Sequence, residues 1–367
     1  MHPPDPSIRR HSDPSAAVDA VHPAEASLVC DALPAPASDL TDNATPLRAM
    51  RRVAVIHNPA SGQNNPRRKG EMQRMLELLS ASGIQTHSLE TNGPGSAAHC
   101  ASEAIARGCD AVLACGGDGT VHEVLQGLAG SRTALGVIPM GTANALAQDL
   151  GLGRSPVKAL KKLLDAVPVQ VPVGLIRYTD WDGASRSRYF TVAAGVGADA
   201  LLMSRLDAGL KRRFGYALYL VEAARIWMTN PFPLFRARFR MSELEAERTE
   251  AVSQILAVRV RSFGGVLGQL APGAALRNGT LRLLAFKTRN RFLYLRFLLA
   301  VLAGRHTFSK TIELLDLVSV ECEAGQGSPA PVYVEADGEV LGTLPAQMEV
   351  APVHLLLLMP SEYHSQP

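Results

Sequence analysis

The chain has 367 residues, of which 47% are hydrophobic and 19% are charged. This length is typical of two domains, and this composition excludes a wholly disordered chain. The formal net charge is only +3, but residues 1–50 carry three basic against seven acidic side chains, so the remaining residues have a surplus of seven positive charges. Such a surplus suits an anionic substrate or membrane surface and is too small to indicate nucleic acid.

The five cysteines are scattered and form no C-x-x-C pair: Cys30, Cys100, Cys109, Cys115 and Cys322. This pattern argues against a disulfide framework or a zinc site and favours a reducing cytoplasm. We expect no signal peptide and no membrane span. The N-terminus has no apolar core segment, and the apolar tracts fall short of the ~20 residues that a spanning helix needs.

Residues 1–50 are dominated by Pro, Ala, Ser and Asp without periodicity, and we predict that they form a disordered tail. From 51 to 172 the pattern alternates strand and helix four times, with the predicted strands at 53–56, 84–89, 111–115 and 135–139. This alternation predicts a doubly wound α/β domain with a parallel sheet, in which ligands lie at the carboxyl ends of the strands.

Residues 173–360 have a different pattern, in which short strand-like segments are separated by turn residues. Two longer stretches, 210–227 and 291–303, are more helical. We therefore predict a second, mainly antiparallel β domain that carries helical insertions.

The loop Gly116-Gly117-Asp118-Gly119-Thr120 lies between a predicted strand and a predicted helix. Glycine lets the backbone approach a ligand closely, and a helix N-terminus suits a phosphate. An aspartate in such a loop would repel phosphate unless it contacts a metal, a hydroxyl or a transferred proton. An ordinary tight turn is the alternative for one such loop. Two more loops at equivalent strand ends, 58–62 and 141–144, favour nucleotide binding; the loop is neither a Walker-A nor a G-x-G-x-x-G motif.

Three motifs in this order resemble the diacylglycerol kinase catalytic-domain family, which includes bacterial soluble lipid kinases and sphingosine and ceramide kinases. They are Asn58-Pro59-x-Ser61-Gly62, Gly116-Gly117-Asp118-Gly119-Thr120-x-x-Glu123 and Gly136-x-x-Pro139-x-Gly141-Thr142-x-Asn144. The resemblance runs from about Arg52 to Pro360. It implies an ATP-binding α/β domain at 51–172, a β-sandwich domain at 173–360, and an active site in the cleft between them.

The resemblance also implies a set of nucleotide-site residues: Asn58, Ser61, Gly62, Thr91, Gly116, Gly117, Asp118, Gly119, Thr120, Glu123, Gly141, Thr142 and Asn144. Among these, Asp118 would lie nearest the phosphates and a Mg²⁺ ion. Glu339, in the sequence Asp337-Gly338-Glu339, would be the general base and with Asp118 would form the catalytic pair. A kinase needs a carboxylate that accepts the proton of the acceptor hydroxyl. Without the other motifs, this segment is typical of an ordinary hairpin turn.

Three positions depart from the family pattern, and at the first, Ala145, many bacterial members have Asp. Pro172 and Asn278 stand where the resemblance implies carboxylates, and the turn at Asn278 and Thr280 often holds a structural magnesium ion in the family. Because Mg²⁺ prefers anionic oxygen ligands, both losses weaken a metal site in the second domain.

The motifs therefore predict an ATP-dependent lipid kinase that transfers the γ-phosphate to a lipid hydroxyl. Diacylglycerol, which would give phosphatidic acid for phospholipid biosynthesis, is the leading acceptor. A sphingoid-base or ceramide kinase is an alternative, because His122 and the run 144–147 are closer to sphingosine kinases. NAD kinase shares the glycine loop, but its later NAD-contacting segment is not evident. A degenerate sensor would explain Pro172 and Asn278, although the retained carboxylates argue against it.

Basic and aromatic residues alternate with leucines at 211–216 and 287–310. Such segments suit peripheral docking on an anionic membrane, which a water-soluble enzyme with a lipid substrate requires. The alternative is that the helix at 291–303 only covers the sandwich core, since its apolar residues go nearly all the way round. We expect no nucleic-acid partner, and a homodimer is compatible with the sequence.

Overall fold

The structure, a computed structural model, describes residues 50–58, 66–205, 216–242, 244, 246–263, 269–305, 308–325 and 331–364. The predicted tail up to residue 49 lies outside the described residues. So do the predicted nucleotide-site residues Ser61 and Gly62, and the basic segment 211–215.

The first domain is an α/β unit whose short apolar runs form its central strands. Its strands are β1 (Arg52–His57), β2 (Gln85–Glu90), β3 (Ala111–Gly116) and β4 (Ala134–Pro139). Its helices are α1 (Pro66–Ala81), α2 (Ser96–Ala106), α3 (Asp118–Leu128), α4 (Ala145–Asp149) and α5 (Pro156–Leu164). The strands pair in parallel in the order β2-β1-β3-β4. Every residue of β3 and β4 is buried, as expected for strands covered on both faces. The predicted parallel sheet is confirmed.

The second domain is built mainly from antiparallel strands. They are β5 (Val167–Thr179), β6 (Ser185–Phe190), β7 (Ala193–Val196), β8 (Phe235–Arg240), β9 (Arg248–Val252), β10 (Gln254–Val258), β11 (Leu281–Phe286), β12 (Ile312–Leu317), β13 (Ser319–Glu323), β14 (Tyr333–Ala336) and β15 (Glu339–Met359). Helices among them are α6 (Ala198–Arg205), α7 (Tyr216–Thr229), α8 (Arg291–Leu302) and α9 (Ser361–His364).

These strands form two layers that share β15. One layer has the order β12-β11-β10-β7-β14-β15, and the other joins β15 to β13, β8 and β9 on one side and to β5 and β6 on the other. Apolar side chains of both layers make one core, including Phe190, Phe235, Phe239, Ile255, Leu283 and Met348. This arrangement is a β-sandwich, in agreement with the fold that the resemblance implies.

Strand β15 connects the two domains physically. It starts beside β14, continues along β13 and β5, and near its end pairs in parallel with β4 through Leu357 and Leu135. The described strands therefore form one continuous 15-stranded sheet. The sequence predicts a boundary near residue 172, but β5 runs through that position, and the last strand of the chain returns to the first domain.

The described cysteines Cys100, Cys109, Cys115 and Cys322 are buried free thiols, and burial raises the pKa of each. Reactive cysteines are partly exposed and have a lowered pKa, so these four are structural. Within the described part of the chain, the prediction of no disulfide is therefore consistent with the structure.

Asp149, at the end of α4, ties three separate segments together. Its Oδ1 accepts hydrogen bonds from the backbone N–H groups of Arg261 at 2.7 Å and Ser262 at 3.0 Å. Its Oδ2 accepts one from the hydroxyl of Tyr363 in α9 at 2.9 Å. Burial raises the pKa of the Asp149 carboxyl, and these hydrogen bonds oppose the rise. One side chain of the first domain thus holds the loop after β10 and the C-terminal helix.

Replacing Asp149 by alanine should destabilise the fold, because the buried donors of Arg261, Ser262 and Tyr363 would lose their acceptor. We expect the free energy of unfolding to fall by about 1–3 kcal/mol, measured by urea denaturation. Asp165→Ala, at an exposed position after α5, is the control and should change it by less than about 0.5 kcal/mol. Equal effects of the two substitutions would contradict the anchoring role.

Candidate active site

The loops that follow the strands of the first domain meet at one edge of the sheet. Asn58 directly follows β1, and Thr91 follows β2, where its N–H donates to the carbonyl of His57 at 3.0 Å. The glycine loop follows β3, and Thr142 lies exposed in the loop after β4. The structure therefore brings the described members of the predicted nucleotide site together, because parallel strands place their carboxyl ends side by side.

The glycine loop and the loop after β4 are in close contact. The N–H of Met140 donates to the carbonyl of Gly116 at 2.8 Å. A Cβ atom added to Gly141 would lie only 2.5 Å from the Cα atom of Gly117, so this approach requires glycine. Gly117 is the N-cap of α3, and the first N–H groups of the helix have no partner within the helix. These groups and the positive end of the helix dipole can receive a phosphate.

Asp118 organises the loop after β4. Its Oδ2 accepts the N–H of Asn144 at 3.0 Å and its Oδ1 accepts the N–H of Ala145 at 2.7 Å. Asn144 adopts a left-handed conformation with φ 50°, and its side chain bonds both the N–H and the carbonyl of Gly141 at 2.9 Å. Since a carboxylate oxygen can accept two hydrogen bonds, each Asp118 oxygen still has one acceptor position.

Helix α3 carries two side chains that support its surroundings. Glu123, predicted to line the nucleotide site, accepts the N–H of Ala97 at 3.0 Å in the first turn of α2. Gln126 accepts the N–H of Tyr189 and donates to the carbonyl of the same residue, both at 2.9 Å. Helix α3 thereby fixes α2 on one side and the sandwich domain on the other.

The segment Asp337-Gly338 is a two-residue hairpin turn between β14 and β15. Both residues have positive φ, 49° and 86°, which fits the Asp-Gly turns of β-hairpins. The buried carboxylate of Asp337 accepts backbone N–H groups of Thr191 at 3.0 Å, Val192 at 2.8 Å and Ala193 at 3.0 Å. The turn is therefore both a hairpin and a fixed platform for Glu339.

Glu339 begins β15 and reaches the glycine loop of the first domain. Its side chain is 42% exposed, and a Cβ atom added to Gly119 would lie 2.8 Å from its Oε1. A carboxylate of the second domain thus packs against the first turn of α3. The predicted catalytic residue Glu339 therefore lies close to Gly119, which directly follows the other predicted catalytic residue, Asp118.

His122 lies between two carboxylates and is 2% exposed. Its Nδ1 is 3.2 Å from Oδ2 of Asp337, and its Nε2 is 4.0 Å from Oε2 of Glu339. Among the described residues, Nε2 has no hydrogen-bond partner. Burial opposes protonation of the ring, but the hydrogen bond to Asp337 and the charge of Glu339 outweigh it, so the pKa of His122 lies above 6.5. In the sequence, the only local indication that His122 lies near the site is its position one helical turn after Asp118.

The pKa of the Glu339 carboxyl is raised, chiefly because surrounding protein disfavours its charge. His122 and Arg188 oppose the rise, while Glu123 and Asp337 add to it. A carboxylate whose pKa is raised toward the working pH is a stronger base than an ordinary glutamate.

Two more buried carboxyls lie behind the turn, and the sequence did not reveal them. Glu335, in β14, accepts the N–H of Gly338 at 2.9 Å, and burial together with the charge of Asp199 raises its pKa well above the usual value. Burial likewise raises the pKa of Asp199, at the start of α6, to about 7. These two carboxyls are polar groups in the interior of the second domain, next to the turn that precedes Glu339.

Within the described ranges, no group of three or more His, Cys, Asp or Glu side chains has the arrangement of a metal site. At the second predicted metal position, the carbonyls of Asn278 and Thr280 accept hydrogen bonds from the guanidinium of Arg259 at 3.0 and 3.5 Å. Because these carbonyls face a cationic side chain, this position does not fit a Mg²⁺ ion.

Two family models match the chain. Residues 52–176 match the diacylglycerol kinase catalytic domain, and residues 191–359 match the YegS C-terminal NAD kinase beta sandwich-like domain. They correspond to the α/β domain and to the β-sandwich described above.

Curated relatives agree with these matches. A protein of Bacillus subtilis (strain 168) named diacylglycerol kinase is 28% identical over 320 residues, which are 86% of this chain and 99% of that protein. A protein of Chromohalobacter salexigens named probable lipid kinase YegS-like is 31% identical over 250 residues, 67% of this chain and 74% of that protein.

The crystal structure of a diacylglycerol kinase from Bacillus anthracis str. Sterne has the same fold. Its TM-score is 0.61 at 19% identity, over 86% of this chain and 98% of that chain. The chain belongs to the diacylglycerol kinase-like family of lipid kinases.

The raised pKa of His122 predicts a dependence of stability on pH. A histidine whose pKa is higher in the folded than in the unfolded state stabilises the fold below about pH 6.5 and loses this contribution as the pH rises through the folded pKa. We expect His122 to contribute a fall of up to about 1.4 kcal/mol per pH unit to the unfolding free energy of the wild type across that window. His122→Asn should show a shallower slope in urea titrations but should keep the part that comes from the raised pKa values of Asp199 and Glu335. His87→Asn, in β2, should keep the wild-type slope, and a wild-type slope in His122→Asn would refute the charged state of the ring.

Proposed function

We propose that the protein is an ATP-dependent lipid kinase that transfers the γ-phosphate to a lipid hydroxyl, with diacylglycerol as the acceptor and phosphatidic acid as the product. The observation that carries the proposal is the contact between Glu339 and Gly119. It supports a proton acceptor and a phosphate-binding helix terminus at one point of the interdomain cleft.

The phosphates of ATP would bind at Gly116, Gly117 and the first N–H groups of α3, where the helix dipole favours negative charge. Asn58, Thr91 and Thr142 lie at the same edge and would line the nucleotide. One carboxylate together with phosphate oxygens is a usual ligand set for Mg²⁺, so the remaining acceptor positions of Asp118 fit this ion. When bound, Mg²⁺ neutralises charge on the phosphoryl oxygens.

Glu339 would act as the general base. The acceptor hydroxyl forms a new O–P bond to the γ-phosphorus, the bond from that phosphorus to ADP breaks, and the hydroxyl proton passes to Glu339. The positive charge of His122, 4.0 Å away, keeps Glu339 ionised before transfer. His122 does not reach the substrate and is a positioning residue in this scheme.

The choice of diacylglycerol rests on the relatives that carry this name and match nearly their whole length. A sphingoid base or ceramide is a second candidate acceptor, supported by His122. ADP release from a panel of diacylglycerol, sphingosine, ceramide and NAD separates them, and the largest kcat/KM identifies the acceptor. ADP release only with NAD would overturn the proposal.

Replacing Glu339 by glutamine tests the base. Glutamine keeps the shape but cannot take the proton, so kcat should fall by about 10²–10⁴ with diacylglycerol. ATP affinity measured by calorimetry should stay nearly unchanged, because Glu339 faces the acceptor. Glu349→Gln is a matched control in the same strand, where Glu349 pairs with Arg177, and it should retain the wild-type rate.

Asp118→Asn should give a different phenotype, losing nucleotide or metal binding together with rate. Its carboxylate also holds Asn144 and Ala145, so the loop after β4 would be disturbed. Near-normal turnover in Glu339→Gln would show that Glu339 is not the general base, and Asp118 would become the leading candidate for that role.

Helices α7 and α8 expose a large apolar surface. Its members are Val221, Met228, Phe292, Leu298, Leu299 and Leu302, and we call it the helical apolar surface. Phe297 and Val301 of α8 are buried and five more of its residues are half-buried, so the helix covers the core with one side and exposes the other. The two helices are joined by a hydrogen bond of 2.8 Å from Nε1 of Trp227 to the carbonyl of Arg291.

Exposed arginines surround the helical apolar surface: Arg225, Arg289, Arg296 and Arg305. Helix α8 contains no acidic residue. In the described part of the chain, no helix has both the length and the apolar character needed to cross a bilayer. Apolar side chains ringed by cations suit the interface of an anionic membrane, so we propose peripheral docking of a cytoplasmic enzyme through this surface.

Binding to vesicles should therefore rise with their anionic lipid content and fall with salt, as co-sedimentation can measure. The double substitution Arg296→Glu and Arg305→Glu should reduce binding strongly. Arg132→Glu, at an exposed position of the first domain, changes the charge in the same direction elsewhere and should reduce it little. If vesicle binding changed neither with salt nor with the double substitution, this docking surface would be excluded.

A further inference from the structure

Arg259 is an unusual residue of the sandwich domain because its guanidinium is buried. The side chain is 1% exposed and directly follows β10. Burying a charge is costly unless it is paired or fully hydrogen-bonded. Among the described residues, no carboxylate lies within ion-pair distance of this guanidinium, so something else must compensate it.

Main-chain carbonyls provide that compensation. Nη2 of Arg259 donates to the carbonyls of Pro172 at 2.9 Å, Leu276 at 3.1 Å and Asn278 at 3.0 Å. Nη1 lies 3.5 Å from the carbonyl of Thr280. The carbonyls come from β5 at the domain junction and from the loop before β11. Several carbonyl oxygens directed at one positive charge are typical of a cation site.

The same cradle lacks the ligands of a divalent metal. Pro172 has no polar side-chain atom, and Nδ2 of Asn278 donates to the carbonyl of Gly273 at 2.8 Å, so this side chain offers only a neutral amide oxygen. Mg²⁺ demands anionic oxygen ligands in near-ideal octahedral geometry. A guanidinium instead needs neutral or anionic acceptors, and three of these four carbonyls converge on Nη2, while among the described residues Nε has no hydrogen-bond partner.

We propose that Arg259 is a built-in cation that takes the place of a divalent metal at the domain junction, so that this protein folds its second domain without one. The resemblance to the lipid-kinase family implies a metal at this turn, and the cradle of Arg259 contradicts that implication for this chain. The proposal is independent of the kinase activity, because it concerns the apo fold.

The charge of Arg259 persists at neutral pH. Burial lowers the pKa of the guanidinium to about 10, and the negative charge of Asp337 opposes the drop. The cradle of carbonyls is therefore filled by a positive charge.

Thermal unfolding of the full chain without nucleotide tests the proposal. The wild type should show the same Tm in excess EDTA and in excess Mg²⁺. The triple variant Arg259→Met, Pro172→Asp, Asn278→Asp removes the guanidinium and supplies two carboxylates. Its Tm should be lower than that of the wild type in EDTA and should rise by several degrees with Mg²⁺, as linkage to metal binding requires.

Single variants complete the test. Arg259→Lys keeps a charge but loses the planar fork, so its Tm should be lowered and insensitive to Mg²⁺. Arg282→Met is the matched control: Nε of Arg282 donates to the carbonyl of Pro272 in the same loop from a more exposed position, and its loss should create no Mg²⁺ dependence. A wild-type Tm that falls in EDTA would overturn the proposal. So would a triple variant that folds without any response to Mg²⁺, since the cradle would then not be a cation site.

Discussion

The buried carboxylate of Asp337 is the constraint on which the rest of the site depends. A buried negative charge is tolerated only when its hydrogen-bonding capacity is filled, and here three successive backbone N–H groups and His122 fill it. The partners come from the entry to β7 and from α3, so this single carboxylate fixes the hairpin against both domains. Glu339 follows two residues later, so the fixed hairpin also determines its position beside Gly119.

The two domains are held together by contacts outside the glycine loop and Glu339. Strand β15 runs from the turn at Asp337 and Gly338 through the sandwich to the edge of the parallel sheet. Asp149 and Gln126 each carry hydrogen bonds across the same junction. Because these links are buried or half-buried, they are shielded from water and hold the glycine loop and Glu339 in register.

Three regions of the molecule differ in the charged and polar groups that they present. The edge that would receive phosphate presents helix N–H groups and the single carboxylate of Asp118. The domain junction contains the positive charge of Arg259, whose hydrogen bonds among the described residues go to main-chain carbonyls. The helical apolar surface carries arginines and, on α8, no acid. Helix N–H groups and exposed arginines lower the cost of bringing an anion or an anionic surface to their places, whereas the carboxylate of Asp118 raises it unless a cation binds beside it.

The sequence by itself determined the parallel α/β domain, the antiparallel second domain and the gathering of three polar loops at one sheet edge. These follow from local periodicity and from the rule that parallel strands share a carboxyl edge, and the motifs added the family. Only the tertiary structure decided that His122 joins Asp337 to Glu339, that Asp118 holds Asn144 and Ala145, that Glu123 holds α2, that β15 returns to β4, and that Arg259 occupies the carbonyl cradle. Each of these is a contact between residues far apart in the chain. Local spacing carries no information about such contacts, because packing and long-range strand register determine which distant side chains meet.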